Sequence, residues 1–176
     1  LLSIKQGSLT DPAAVAALED SRSRLRSLMV MYDKLYRSSD VNVISAREFL
    51  SSLVDEVVAN YPSTNPFSVE KDLDEFELDM KRGQALGIII NELITNIIKY
   101  AFAGSEGATI RVSAKCCCQR VEVAVADNAC GLPKSLDFDK SPGFGLQLVA
   151  GLVRQIDGTA RIERGEGTKV VIEFSL

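Results

Sequence analysis

The ten residues from Asn91 to Tyr100, NELITNIIKY, constrain this chain more than any other stretch. Ile88, Ile89, Leu93, Ile97 and Ile98 recur at helical spacing and can lie against a core. Glu92, Asn96 and Lys99 follow at i, i+4 and i+7, so a regular helix stacks them along one face, with Asn91 and Thr95 beside it. A carboxylate, an amide and an ammonium on one line suit the phosphates and metal of a nucleotide. A solvated face of an amphipathic helix also accounts for them, and is the commoner origin of such a stripe.

Three downstream blocks shift that balance. DNACGLP, Asp127 to Pro133, ends a strand that alternates Val121, Val123 and Val125. GFGLQLV, Gly143 to Val149, opens a helix, and GEGTK, Gly165 to Lys169, joins two strands. An ionised carboxylate at the end of an apolar strand is costly unless it has a donor. The exocyclic amino group of adenine supplies one, where guanine would present an oxygen. An aspartate that merely starts a turn is the alternative. Gly143 and Gly145 stand at a helix start, where free N–H groups and the helix dipole favour phosphate. Lys134 to Pro142 then reads as a short lid, with Lys140 a phosphate contact.

In this order the four blocks resemble the ATP-binding domain of sensor histidine kinases, within the GHKL superfamily of gyrases, heat-shock chaperones, mismatch-repair ATPases and kinases. The likeness covers nearly the whole chain. NELITNIIKY is similar to the N box and the others to the three glycine boxes. The resemblance implies Mg-ATP as cofactor. Asn96 becomes the magnesium ligand, since magnesium keeps several waters, takes phosphate oxygens and needs little else from protein. Glu92 matches a general base, Asn91 could hold a water or sugar group, Lys99 reaches a phosphate and Tyr100 walls the base. Asp127 accepts from adenine, supported by Thr168. The first glycine box brings Ala129, Gly131 and Leu132 to the nucleotide, and the second Gly143, Phe144, Gly145 and Leu146. Two positions in these blocks depart from the family pattern: Ala129 replaces its first glycine, and Ile97 the alanine usual after the asparagine; upstream, Tyr32 to Tyr36 departs from a version that contains histidine.

Residues 1 to about 39 read as a helix end, a loop and a long helix. Asp11 is placed to cap that helix, and Pro12 suits its first turn. Leu18, Leu25, Leu28, Tyr32 and Leu35 form a coiled-coil-like seam, which pairing into a four-helix bundle across a homodimer would bury. Packing on the following domain is the alternative. The segment resembles the dimerisation hairpin whose phosphoacceptor histidine lies just upstream, yet the chain has 0 histidines and starts at Leu1 without Met. A fragment of a longer protein is the expectation, divided into a partial hairpin at 1–40 and a catalytic domain at 41–176.

A net charge of −4 gives no electrostatic invitation to nucleic acid or anionic membrane. No apolar run reaches the roughly 18 residues that span a bilayer, so a cytoplasmic location is expected. Cys116, Cys117 and Cys118 read as small residues on a strand in a reducing compartment; alternation lets at most Cys116 and Cys118 share a face.

The remaining elements follow from local signals. Ser45-Ala46-Arg47-Glu48 is a capping box opening a helix to about Asn60. Phe67 to Leu73 and Glu75 to Met80 suggest a hairpin around Asp74, and the striped helix covers roughly Arg82 to Phe102. Thr109–Cys117 with Arg120–Asp127, and Thr159–Arg164 with Thr168–Leu176, suggest two more hairpins, separated by a helix from Gly143 to about Ile156. The fold expected is α+β: a two-layer sandwich of helices on a mostly antiparallel sheet, preceded by the helical hairpin. The function expected is the catalytic region of a two-component sensor histidine kinase, with a response regulator receiver domain as partner of the full protein. A stand-alone GHKL serine kinase of the anti-sigma-factor type, or a degenerate nucleotide sensor, is the alternative.

Overall fold

The structure is a computed structural model that describes residues 43–60, 66–101, 107–129 and 144–176. The expected hairpin at 1–40 lies outside these, as do Gly131, Leu132, Lys140 and Gly143.

Strand β1 (Val43–Ser45) leads into helix α1 (Ala46–Asn60). Strands β2 (Phe67–Leu73) and β3 (Glu77–Asp79) precede helix α2 (Met80–Asn96), which continues as a π-helical turn over Ile97–Ala101. Strands β4 (Ala108–Cys117) and β5 (Arg120–Asp127), helix α3 (Phe144–Gln155), and strands β6 (Thr159–Gly165) and β7 (Gly167–Ser175) follow. The main sheet has the order β2-β4-β5-β7-β6 and is antiparallel except for the β2–β4 pair. On it α2 contacts both α1 and α3. The architecture is the expected sandwich.

Alternation decides which sheet face is covered. Val121, Val123 and Val125 of β5 are buried, as are Val170, Ile172 and Phe174 of β7. They share one core with Phe49, Leu50 and Leu53 of α1, with Leu86, Ile90 and Leu93 of α2, and with Leu146 and Val149 of α3. The same period carries Asp127 and Thr168 onto the helix-covered face, at the end of the two apolar rows. The opposite face carries ion pairs, with Arg161 reaching Glu122, Glu163 and Glu173.

Local chemistry explains the element ends. Ser45 Oγ accepts from the Glu48 N–H at 3.2 Å, the capping bond expected for α1. Asp79 caps α2 by accepting from the Arg82 N–H at 2.8 Å, so α2 starts at Met80, before the expected Arg82.

Two expectations are corrected. Residues 67–80 do not form a hairpin: β2 pairs with β4 in parallel, whereas β3 pairs with β1 in a separate two-stranded sheet. Asp74 holds the chain to β4, its N–H donating to Ala114 O at 2.8 Å and its carboxylate accepting from the Cys116 N–H and from Lys115 Nζ. Phe76 is then buried, and its carbonyl accepts from the Ala46 N–H, which turns the chain off the sheet. Cys118 is not on a strand either. Cys117 pairs with Arg120, so Cys118 and Gln119 form a two-residue turn with φ of 51° and 67°.

Candidate nucleotide-binding site

The polar stripe of α2 is not a solvated face where it matters most. Glu92 is 1% exposed, and Asn91 and Thr95 are buried with it. Asn96 is half-buried one turn after Glu92. Lys99 and Tyr100 leave the straight line, because the π turn holds more residues per turn than the α-helix before it. Tyr100 ends up 59% exposed. Asn91, five residues before Asn96, lies about 140° round the helix from it at 3.6 residues per turn. Its Oδ1 is buried with no hydrogen-bond partner among the described residues.

Leu93, Asn96 and Ile97 face Val125 and Asp127 of β5 and Thr168 and Val170 of β7 across a recess of about 240 Å³, including the part open to solvent. Leu93, Ile97, Val125 and Val170 make its lining largely apolar, and Asp127 adds a carboxylate. Asp127 is 7% exposed, and both its oxygens are held by backbone donors. Oδ1 accepts from the Ala129 N–H at 2.9 Å and Oδ2 from the Thr168 N–H at 3.1 Å. Each oxygen keeps a further lone pair, so the carboxylate is oriented and still able to accept from a ligand. Thr168 is 4% exposed beside it.

Two residues that fix this geometry escaped the sequence reading. Gly167 has φ of +114°, and a Cβ there would lie 2.1 Å from the Asp127 carbonyl oxygen. Only glycine lets β7 begin this close to the end of β5. The GEGT block is its signal in the sequence. Asn128 accepts from the Thr109 N–H at 2.7 Å and donates to Gly107 O at 3.1 Å, tying the end of β5 to the start of β4.

The other expected residues divide. Ala129 needs no strained backbone: its φ is outside the left-handed region, and its methyl packs against the core. Ile97 is 5% exposed and narrows the recess where the family pattern has alanine. Phe144 begins α3; Gly145 is buried there and Leu146 is a core residue. Among the described residues, then, the structure brings Asn96, Asp127 and Thr168 together around one recess, with Glu92 a turn below Asn96. Asn91, Lys99, Tyr100 and Leu146 are not among its lining.

Residues 82–176 match the model of histidine kinase-, DNA gyrase B- and HSP90-like ATPases, and residues 1–61 match a histidine kinase model. The chain belongs to this ATPase family, in its histidine kinase branch. Sensor histidine kinase PdtaS of Mycobacterium tuberculosis is 32% identical to this histidine kinase-like ATPase over 163 residues, 89% of the chain and 32% of PdtaS. PdtaS of Mycolicibacterium smegmatis is 29% identical over 182 residues, 100% of the chain and 36% of the relative. The chain thus spans about a third of the length of these relatives. The histidine kinase domain of the blue-light-activated kinase EL346 from Erythrobacter litoralis has the same fold, with a TM-score of 0.75 at 17% identity, covering 99% of this chain and 90% of that one. The ATP-binding domain of PrrB from Mycobacterium tuberculosis superposes with a TM-score of 0.60 at 22% identity, covering 76% of this chain and 95% of that one. In this kinase-like chain the match at 1–61 runs into α1, whose buried residues belong to the same core as α2.

Proposed function

We propose that this chain is the catalytic region of a two-component sensor histidine kinase, which binds Mg-ATP and passes the γ-phosphoryl group to a histidine that these 176 residues do not contain. The observation that carries the reading is the buried Asp127 carboxylate, oriented by two backbone N–H groups at the end of an apolar recess. The residues present fit an adenine nucleotide. Leu93, Ile97, Val125 and Val170 offer flat apolar contact for a base, and Asp127 accepts from an amino group in the plane. The bound Mg-ATP would supply the transferable phosphoryl group and a cation to neutralise its charge.

The protein's own contribution is positioning and charge. Asn96 lines the recess and would hold magnesium through its amide oxygen, a hard donor of the kind that ion prefers. Glu92, one turn back, would accept the proton of the attacking imidazole. Lys99 would meet a phosphate as a point charge, and Tyr100 would wall the base. Asn91, on the far flank of α2, would hold a water. Residues outside those described, Gly131, Leu132, Lys140 and Gly143, complete the site in this reading together with Phe144 and Gly145. The match of residues 1–61 to the histidine kinase model supports this reading over a stand-alone serine kinase of the anti-sigma-factor type. The full protein would work as a homodimer through residues 1–40, with a response regulator as phosphoryl acceptor.

The test restores an acceptor histidine upstream and follows phosphotransfer from labelled ATP. Glu92→Gln keeps size and hydrogen bonding but removes the basic carboxylate. Transfer should slow by about 10²–10⁴-fold with nucleotide binding nearly unchanged. Transfer at the parent rate would leave Glu92 a structural residue and catalysis to positioning alone.

A further inference from the structure

The tip of the β4–β5 hairpin carries chemistry that the nucleotide site does not use. Cys117 and Cys118 are both exposed free thiols, and Cys117 S–H donates to Cys118 Sγ at 3.6 Å. The pair meets because Cys118 occupies the first turn position at φ 51°, with Gln119 following at 67°. Asn-Gly is the ordinary occupant of such a turn, and each residue with a Cβ held there costs on the order of 1 kcal/mol. Cys116 points to the other side and packs against the core.

We propose that Cys117 and Cys118 form a dithiol chelate site for a thiophilic trivalent metalloid, arsenic(III) being the chemical type. Adjacent Cα atoms stand about 3.8 Å apart across a trans peptide, below the roughly 4.4 Å at which ordinary disulfides begin. Direct S–S closure is therefore strained, whereas one inserted atom spans the gap. Two sulfurs bound to one centre at about 2.3 Å with tetrahedral angles sit about 3.8 Å apart. A pyramidal arsenic, with narrower angles, draws them slightly closer, and the observed 3.6 Å needs almost no movement. The chemistry balances without an oxidant. A monosubstituted arsenic oxide and two thiols give two As–S bonds and one water, the two S–H protons leaving with the oxide oxygen. The tip lies seven residues along β5 from Asp127, roughly 24 Å at about 3.4 Å per residue, so this site is separate from the nucleotide recess.

The test uses the full chain and phenylarsine oxide. Intact mass after exposure to excess monothiol should show one phenylarsenic per chain, and alkylation followed by peptide mapping should find Cys117 and Cys118 protected. A small dithiol should strip the adduct. Cys117→Ser or Cys118→Ser should weaken retention by about 10²-fold or more, because the second bond is then no longer intramolecular. Cys116→Ser should leave it unchanged. ADP should not protect the thiols. No adduct surviving the monothiol wash, or an adduct mapped to Cys116 or Cys130, would overturn the proposal; mapping on the unsubstituted chain keeps this outcome independent of how the variants fold.

Discussion

Asp127 and Gly167 are one device at the residue scale. The carboxylate is buried because β5 continues its apolar alternation to the end, and it is tolerable there because the backbone supplies two donors. One of those donors, the Thr168 N–H, comes from a strand that glycine alone allows to start so close. Gly167→Ala forces a Cβ to within 2.1 Å of a carbonyl oxygen at a φ of +114°. It should destabilise the fold by about 1–3 kcal/mol and impair nucleotide binding beyond that loss, measured by chemical denaturation and by ADP titration of the folded variant. An unchanged affinity would mean that the Asp127–Thr168 geometry is not what the ligand reads. That Asp127, Asn96 and Thr168 would meet was legible in the sequence, because residue type and order carry it. Gly167 was not, because its importance is a distance between strands far apart in the chain.

At the scale of elements, α2 depends on how it starts. Burial works to raise the Asp79 carboxyl, but the Arg82 N–H and guanidinium outweigh it and hold the carboxyl below its ordinary value of 3.8. A group depressed in the folded state stabilises above the unfolded value, and that contribution fades as the pH falls through the folded one. Asp79→Asn can still cap the helix yet loses the charge. Its melting temperature should lie below that of the parent at pH 7, with the gap closing below about pH 4. A gap constant with pH would mean that the Asp79 charge does not stabilise α2. Most element boundaries were readable from caps and alternation. The β2–β3 region was not: Asp74 resembles a turn residue locally, and only its bonds to β4 reveal that β2 and β3 belong to different sheets. The β4–β5 hairpin bounds at Cys117 and Arg120 were readable, but local pattern does not show that the two non-glycine residues between them sit at positive φ.

For the whole molecule, the described helices and sheet form the ATP-binding unit of its family, while the proposed dimer rests on the seam from Leu18 to Leu35. Light scattering should report a dimer for the full chain and a monomer once residues 1–40 are removed, and a monomer in both would refute that arrangement. The general architecture was legible because alternation, caps and the four blocks agreed with one another. The π turn was hidden, since sequence spacing assumes regular helix and so keeps Lys99 in line with Glu92 and Asn96. In the proposed function, the recess between α2, β5 and β7 reads adenine through Asp127. Calorimetric titration with ADP and GDP, on the parent chain and on Asp127→Asn, tests it most directly. The parent should bind ADP and not GDP; in Asp127→Asn the asparagine amide is set against a backbone N–H, and ADP binding should weaken by about 1–3 kcal/mol. Equal affinity for the two nucleotides, or an Asp127→Asn variant that binds ADP like the parent, would contradict it.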